Sequence, residues 1–499
     1  MKPFTVTTSI AYPNAAPHVG YALELVQADV LARLARSRGE KVFFLTGVDQ
    51  HGQKIERAAE TAGLDPLTFV EQASAPFCAL CALLDISADR FIRTTDADHI
   101  AMAQALWSAC AASGDIYLRQ YQAWYDSKEE AFLGSKEEFP DPSVFGIDPK
   151  FVHLIDEENY FFRQSRYKEQ IIELLERQTV HIVPESRGRE LLNFVRDNDL
   201  PDISVSRSVS SLRWGIPVPG DEAHVMYVWF DALTNYLTAT ASIDGNKIVP
   251  GLFWPPSVHV VGKDIQRFHA LLWPAMLLSA GLELPKGILV HGFLSLNGKK
   301  MSKSIGNVLD PVPLIEKYGS DALRWLLIKE VPTTGDADIS ERRLAEVYAS
   351  DLANTFGNLV SRVCTMVHKY AGGRVPERSA APESLVGEWS AYRSCADAYD
   401  LKSAAEVAFS RLEAANRLIE ERNPCVMAKD TAQFAELNSL LYGLLEGLRH
   451  TVLMIEPIMP KSAGRLTWLV QERSQQWGGL APGTVLPDAS TILFPRLVE

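Results

Sequence analysis

Residues 4–49 read FTVTTSIAYPNAAPHVGYALELVQADVLARLARSRGEKVFFLTGVD, and this stretch decides the fold. FTVTTSIA (4–11) is rich in β-branched residues and stops at Tyr12-Pro13-Asn14, the composition of a strand closed by a turn. From Gly20 to Arg38 the apolar residues Leu23, Val26, Val30, Leu31 and Leu34 recur at helical spacing, and Gly39 stops the helix. KVFFLTGVD (41–49) is then a continuous apolar run, the pattern of a strand buried on both faces. Strand, helix and strand in that order make a βαβ unit. SVHVVGKD (257–264) and GILVHGFL (287–294), either side of a helical segment at 267–280, repeat the pattern. The expected fold class is α/β with a Rossmann-like parallel sheet, in two halves at 1–117 and 215–300.

Between the halves, 118–214 changes character. It carries the charge-rich run KEEAFLGSKEEFPDP (128–142), the aromatic cluster Tyr160-Phe161-Phe162 and a helix near 164–178, and reads as an insertion that splits the sheet domain. From 351 onward the pattern is helical. Leu352, Phe356, Leu359, Val360, Val363 and Val367 form one apolar stripe. Leu401, Ala405, Ala408, Leu412, Ala415 and Ile419 form a second, and Leu441, Leu444, Leu445, Leu448 and Val452 a third. An all-α domain over 351–499 is expected, its first two helices joined by AGGRVPERSAAPES (371–384).

With 499 residues the chain is too long for one core. Its six cysteines cannot frame a disulfide-stapled fold and show no four-ligand zinc spacing. Cys78 and Cys81 form a lone CxxC in an apolar stretch and are expected in the core. MKPFTVTTSIAYPN lacks the order of a signal peptide, and there is no run of about 18 apolar residues, so a soluble cytoplasmic protein with no membrane partner is expected. The net charge of −13 argues against a general charge-driven nucleic-acid binder. Residues 351–499 hold 15 Lys and Arg against 17 Asp and Glu, net −2, and no basic stripe.

Two segments carry chemistry. Ala16-Pro17-His18-Val19-Gly20-Tyr21 joins a strand to a helix N-terminus, where free N–H groups and the helix dipole favour a phosphate. Lys299-Lys300-Met301-Ser302-Lys303-Ser304 is a cationic loop suited to a triphosphate. A lysine closing on departing pyrophosphate stabilises the transition state more than the ground state.

HVGY (18–21) and KMSKS (300–304) at opposite ends of a split α/β domain resemble class I aminoacyl-tRNA synthetases. FLTGVDQHGQKIERAAETAG, EENYFF, WGIPVPGD, HVMYVWFDALTNY, HVVGKDIQRFHALLWPA, GKKMSKSIGNVLDP, DLANTFGNLVSR and LFPR follow in the order of the methionyl-tRNA synthetase family, across essentially the whole chain. The resemblance implies a stem-contact segment at 301–350 and an anticodon-binding domain at 351–499. It implies activation of L-methionine by ATP with Mg2+ and transfer of the acyl group to methionine tRNA. Such chemistry needs positioning and charge stabilisation more than a protein nucleophile. His18, Tyr21, Lys300 and Lys303 are the implied catalytic residues, and Gly20, Glu24, Gly262, Lys263 and Asp264 complete the nucleotide site. Asp49 is the implied acceptor for the substrate ammonium. Ile10, Tyr12, Trp229, Ala232, Tyr236, Ile265, His269 and Trp273 would line the side-chain pocket, whose rings suit a thioether. Asn358 and Arg362 would read the anticodon.

Three positions depart from the family pattern. Tyr21 stands where a second histidine is usual, and no cysteine occurs in 124–130, so no structural zinc is expected. Cys425 replaces the tryptophan that stacks on an anticodon base, a contact worth about 1–3 kcal/mol. Tyr21 and Cys425 keep open a second reading, a tRNA-independent paralogue that adenylates an amino acid and passes it to a small amine or hydroxylamine. A third, non-enzymatic tRNA-binding reading is disfavoured by the presence of His18, Asp49, Lys300 and Lys303. The chain stops where the family core ends, so a monomer is expected.

Overall fold

The computed structural model describes residues 2–127, 131–136, 139–301, 308–386, 388–487 and 493–497. Its main sheet has six strands in the order Arg90–Arg93, Lys41–Val48, Pro3–Ala11, Val258–Gly262, Gly287–His291, His181–Val183. Val6 pairs with Val258 on one side and Phe44 on the other, and both pairings are parallel. The β-branched run at 4–11 and the apolar run at 41–49 thus become adjacent central strands. From Pro3–Ala11 the chain adds Lys41–Val48 and Arg90–Arg93 outward on one side, and Val258–Gly262 then Gly287–His291 on the other, with His181–Val183 joining that far edge out of chain order. The topological switch therefore lies beside Pro3–Ala11, where open parallel sheets bind ligands.

The chain forms two compact units. The first comprises Met1–Pro17, Gly39–Ala79 and Ala88–Val290, and the second His18–Arg38, Leu80–Ser87 and His291–Glu499. The helix Val19–Ser37, read from sequence as the helix of a βαβ unit within 1–117, therefore belongs to the second unit. Asp29 shows why. Its buried carboxylate accepts from Arg33 Nε at 2.7 Å and from Ser87 Oγ at 2.6 Å, and pairs with Arg324 Nη2 at 2.7 Å. Burial alone would raise its pKa, but Arg324 and Arg33 outweigh it and hold the carboxyl below its usual range.

In the first unit a four-stranded antiparallel sheet, in the order Ala131–Ser135, Ile116–Asp126, Val152–Phe162, Ile203–Ser204, forms the body of the insertion. The insertion expected over 118–214 is not separate throughout. His181–Val183 pairs in parallel with Gly287–Leu289 as an edge strand of the main sheet. In the second unit every residue of the three apolar stripes is buried. The long helix Phe434–Ile455 anchors the following segment through Glu446, which accepts from Arg449 and from the backbone N–H groups of Gly478, Gly479 and Leu480.

Cys78 is exposed and Cys81 half-buried, so the CxxC does not lie in the core as expected. Both sit on the helix Pro66–Leu83, which turns only Val70, Ser74, Phe77 and Leu80 fully inward and leaves its small apolar residues at the surface. Among the described residues this is the one helix long and apolar enough, by length and composition, to cross a bilayer, although it is not an unbroken apolar run. Glu71 and Gln72 within it, and its four inward residues, fit a helix packed on protein.

Candidate functional site

The implied side-chain pocket lies within the first unit, at the C-terminal ends of the central strands. Ile10 is the last residue but one of Pro3–Ala11, Asp49 directly follows Lys41–Val48, and Ile265 lies three residues beyond Val258–Gly262. Trp229 and Ala232 lie on the helix Val228–Leu233, and Tyr236 on the next turn, Asn235–Thr238. The chain then forms a wide π-type turn, Phe268–Leu272, that carries His269 and leads into the helix bearing Trp273. Such bulges cluster at functional sites because they re-aim side chains within a helix.

The rings form one cluster. Trp229 stacks on Phe268 with centroids 3.8 Å apart and meets His269 edge-on at 6.3 Å. Tyr236 lies 5.8 Å from both His269 and Trp273. Tyr236 Oη is 2.7 Å from His269 Nε2, and His269 Nδ1 is 3.0 Å from the Ile265 carbonyl. A carbonyl can only accept, so Nδ1 carries the proton and Nε2 accepts from the tyrosine. Burial lowers the His269 pKa to about 4, so the imidazole is neutral at physiological pH. The walls are therefore aromatic and uncharged, with Tyr236, His269 and Trp273 buried, Trp229 and Phe268 half-buried, and the two most polar members hydrogen-bonded to each other. Phe268 gave no separate signal in the sequence, where it is one more apolar residue beside His269.

Asp49 sits in a turn held from several sides. Its N–H donates to Ala11 O at 2.8 Å, Gln50 N–H donates to Thr94 Oγ1 at 2.8 Å, and Trp214 Nε1 donates to Gln50 O at 2.6 Å. Gly52 closes the turn at φ +106°, and a Cβ there would come within 2.6 Å of Tyr12 Oη, so glycine is required. Tyr12 thus lies against the Asp49 turn. Gly262, Lys263 and Asp264 leave the end of their strand in a tight turn, with Ile265 N–H donating to Gly262 O at 3.2 Å.

His18, Gly20, Tyr21 and Glu24 belong to the second unit. His18 caps the helix Val19–Ser37, its Nδ1 accepting from Gly20 N–H at 3.0 Å. A Cβ on Gly20 would lie 2.7 Å from that imidazole, which explains the glycine. Val19 N–H donates to Leu309 O and Tyr21 N–H to His18 O, so the first amides are already engaged. The expectation of free N–H groups for a phosphate is corrected: what this end offers is the helix dipole and the His18 ring. Glu24 is paired with His291 Nε2 at 2.9 Å.

Leu294–Leu296 and Lys299–Lys300 form a hairpin through Asn297-Gly298, both at positive φ, as such two-residue turns demand. The Lys300 side chain and Lys303 lie outside the described residues. Farther along the second unit, Asn354, Asn358, Arg362, Glu413, Asn416 and Arg417 line an open groove of about 400 Å3. Arg362 Nη1 reaches Asn416 Oδ1 at 3.2 Å. Cys425 is exposed, and the Tyr370 hydroxyl approaches its Sγ at 3.4 Å. Among the described residues no group of three or more His, Cys, Asp or Glu is placed to hold a metal ion.

Comparison with known proteins matches this chain to the family model described as tRNA synthetases class I (M), over residues 4–142 and 138–364. The methionine–tRNA ligase of Mycobacterium leprae is 40% identical over 515 residues, covering 99% of this chain and 95% of that protein. That of Brucella suis is also 40% identical, covering 99% and 98%. The solved structure of Mycobacterium tuberculosis methionyl-tRNA synthetase in complex with methionyl-adenylate is similar at TM-score 0.90 and 40% identity, over 99% of this chain and 100% of that one. The free-state structure of the same protein gives 0.85 and 38%, over 100% and 99%.

Proposed function

This chain belongs to the class I methionyl-tRNA synthetase family, and on that premise we propose that it activates L-methionine with ATP and transfers it to methionine tRNA. It is an ATP-dependent amino-acid-activating ligase. The observation that carries the choice of amino acid is the neutral Tyr236–His269 pair inside a ring of Trp229, Phe268 and Trp273. A charged side chain entering such a site would lose its hydration without gaining a partner. A thioether loses little hydration and gains sulfur–ring contacts worth about 0.3–1.5 kcal/mol.

In the first step a methionine carboxylate oxygen attacks the α-phosphorus of ATP. An O–P bond forms, the bond to the bridging oxygen breaks, and pyrophosphate leaves with the electron pair. We assign to Asp49 the substrate ammonium, which fixes the carboxylate's direction. To His18, at a helix N-terminus, we assign contact with the phosphates, and to Gly262, Lys263 and Asp264 the nucleoside. Lys300 and Lys303 would meet charge developing on pyrophosphate, where fixed cations lower the barrier most. Mg2+ would arrive with the triphosphate. In the second step a hydroxyl of the terminal tRNA ribose attacks the acyl carbon and AMP leaves.

We assign the groove around Asn358 and Arg362 to the anticodon. Its amides and guanidinium groups suit base edges, which local hydrogen bonding can read despite a net charge of −13. Two assays test the reading. Methionine should drive exchange of labelled pyrophosphate into ATP, and the acyl group should then appear on methionine tRNA. Absence of exchange refutes the activity. Exchange without tRNA acylation, with transfer to a small amine, would establish the paralogue reading suggested by Tyr21 and Cys425.

A further inference from the structure

A carboxylate outside the assigned site is buried just behind it. Asp231, on the helix Val228–Leu233, is 0% exposed. Its Oδ2 is 2.6 Å from His51 Nδ1 and its Oδ1 is 2.7 Å from His99 Nε2. Both imidazoles are themselves buried, and the chain of contacts continues from His99 Nδ1 to Thr238 Oγ1 at 3.0 Å. Burial would raise the Asp231 pKa, but His51 and His99 outweigh it and keep the carboxyl below its usual range. None of the reaction's steps uses this group, and a buried charge is costly to keep.

The placement of its partners gives it a purpose. His51 lies in the turn that presents Asp49, two residues away, and its ring is 5.3 Å from that of Trp214, whose indole N–H holds the same turn. Asp231 lies between Trp229 and Ala232 in sequence, on the helix that supplies one wall of the ring cluster. We propose that Asp231 is a positioning residue for amino-acid recognition, its bonds to His51 and His99 tying the Asp49 turn to the helix that carries Trp229 and Ala232. This rests on the reading of Asp49 and the ring cluster as the two ends of the methionine site. Both ends must be held at one separation, and a displacement of about 1 Å can cost about 100-fold in such a site.

The test is methionine-dependent pyrophosphate exchange, with KM for methionine and ATP measured separately and folding followed by thermal melting. Asp231→Asn turns an acceptor into a donor facing an imidazole N–H, and should raise the methionine KM by about 10-fold or more with the ATP KM within about twofold. His99→Gln keeps an amide donor for Asp231 and should stay near wild type. His99→Leu removes it and should follow Asp231→Asn, although the hydrogen bonds of His99 go to Asp231 and Thr238 rather than to Asp49 or the rings. If Asp231→Asn fails to fold, the two His99 variants carry the test. A lowered melting temperature with an unchanged methionine KM overturns the proposal, as does an equal rise in both KM values. If the wild-type protein shows no exchange with methionine, the functional reading falls and the positioning role falls with it.

Discussion

Tyr236→Phe removes one oxygen from a fully buried site, and the structure dictates the consequence. The phenol donates to His269 Nε2 at 2.7 Å, while His269 Nδ1–H is committed to the Ile265 carbonyl at 3.0 Å. Without the hydroxyl the imidazole has two options. It can take up a proton, but a group that titrates at about 4 costs about 4 kcal/mol to protonate at pH 7. It can instead remain neutral with an unsatisfied buried lone pair, at about 1–3 kcal/mol. The second cost is smaller, so the variant should keep a neutral His269 and lose about 1–3 kcal/mol of stability. Its methionine KM should rise while its ATP KM holds. Denaturant unfolding and exchange kinetics measure these quantities. A variant as stable as wild type with an unchanged methionine KM would refute the pairing. A second arm uses pH. Folded His269 stays neutral down to about pH 4, whereas in the unfolded chain it binds a proton near 6.5, so the unfolded state holds more protons between those values. Stability should therefore fall as pH drops from about 6.5 to about 4, by up to about 3 kcal/mol from this residue. His269→Gln, which cannot titrate, should lose that part of the slope.

Three further outcomes are expected. Glu446→Gln places an amide N–H2 against Arg449 and the backbone donors at 478–480, and should destabilise the second unit by about 3–5 kcal/mol, read as a lower denaturant midpoint and early proteolysis after Ile455. Arg362→Ala should raise the KM for methionine tRNA by about 5- to 150-fold, the range of a lost base contact of about 1–3 kcal/mol, while methionine-dependent exchange holds; equal tRNA kinetics would remove the groove from recognition. Norleucine keeps the length of methionine and lacks only the sulfur, so exchange should prefer methionine by no more than about 2- to 12-fold, the worth of sulfur–ring contacts of about 0.3–1.5 kcal/mol. A preference of about 1000-fold would require a specific donor to sulfur that the Tyr236–His269 pair does not supply.

What was legible in the sequence was what local patterning encodes. The strands at 4–11 and 41–49 and the helix between them follow from apolar spacing, and in the stripes at 359–367, 401–419 and 441–452 a 3.6-residue period points the apolar residues inward, while Leu352 and Phe356 are buried from a wider π-type segment, Tyr348–Gly357. The strand His181–Val183 escaped because three residues carry no period, and its place in the main sheet depends on pairing with Gly287–Leu289, more than 100 residues away. Cys78 was misread for a related reason: an apolar composition says that a helix can be buried, not which face will be. The helix Val19–Ser37 is predictable as a helix, yet its assignment to the second unit turns on Asp29 meeting Arg324, a contact across nearly 300 residues. The site divides along the same line. Tyr236, His269 and Trp273 could be named from residue type in family order, whereas His51, His99 and Asp231 are ordinary polar residues until folding brings them within 2.7 Å. Asp231 did leave a trace, as the one charge in the apolar run YVWFDAL. A lone carboxylate that the chain buries must be met by donors from elsewhere, so such a residue predicts a partner without saying which. The groups assigned to substrate contact are therefore easier to read from sequence than those proposed to hold them in place. The first are chosen for their own chemistry, the second for a distance that only the fold defines.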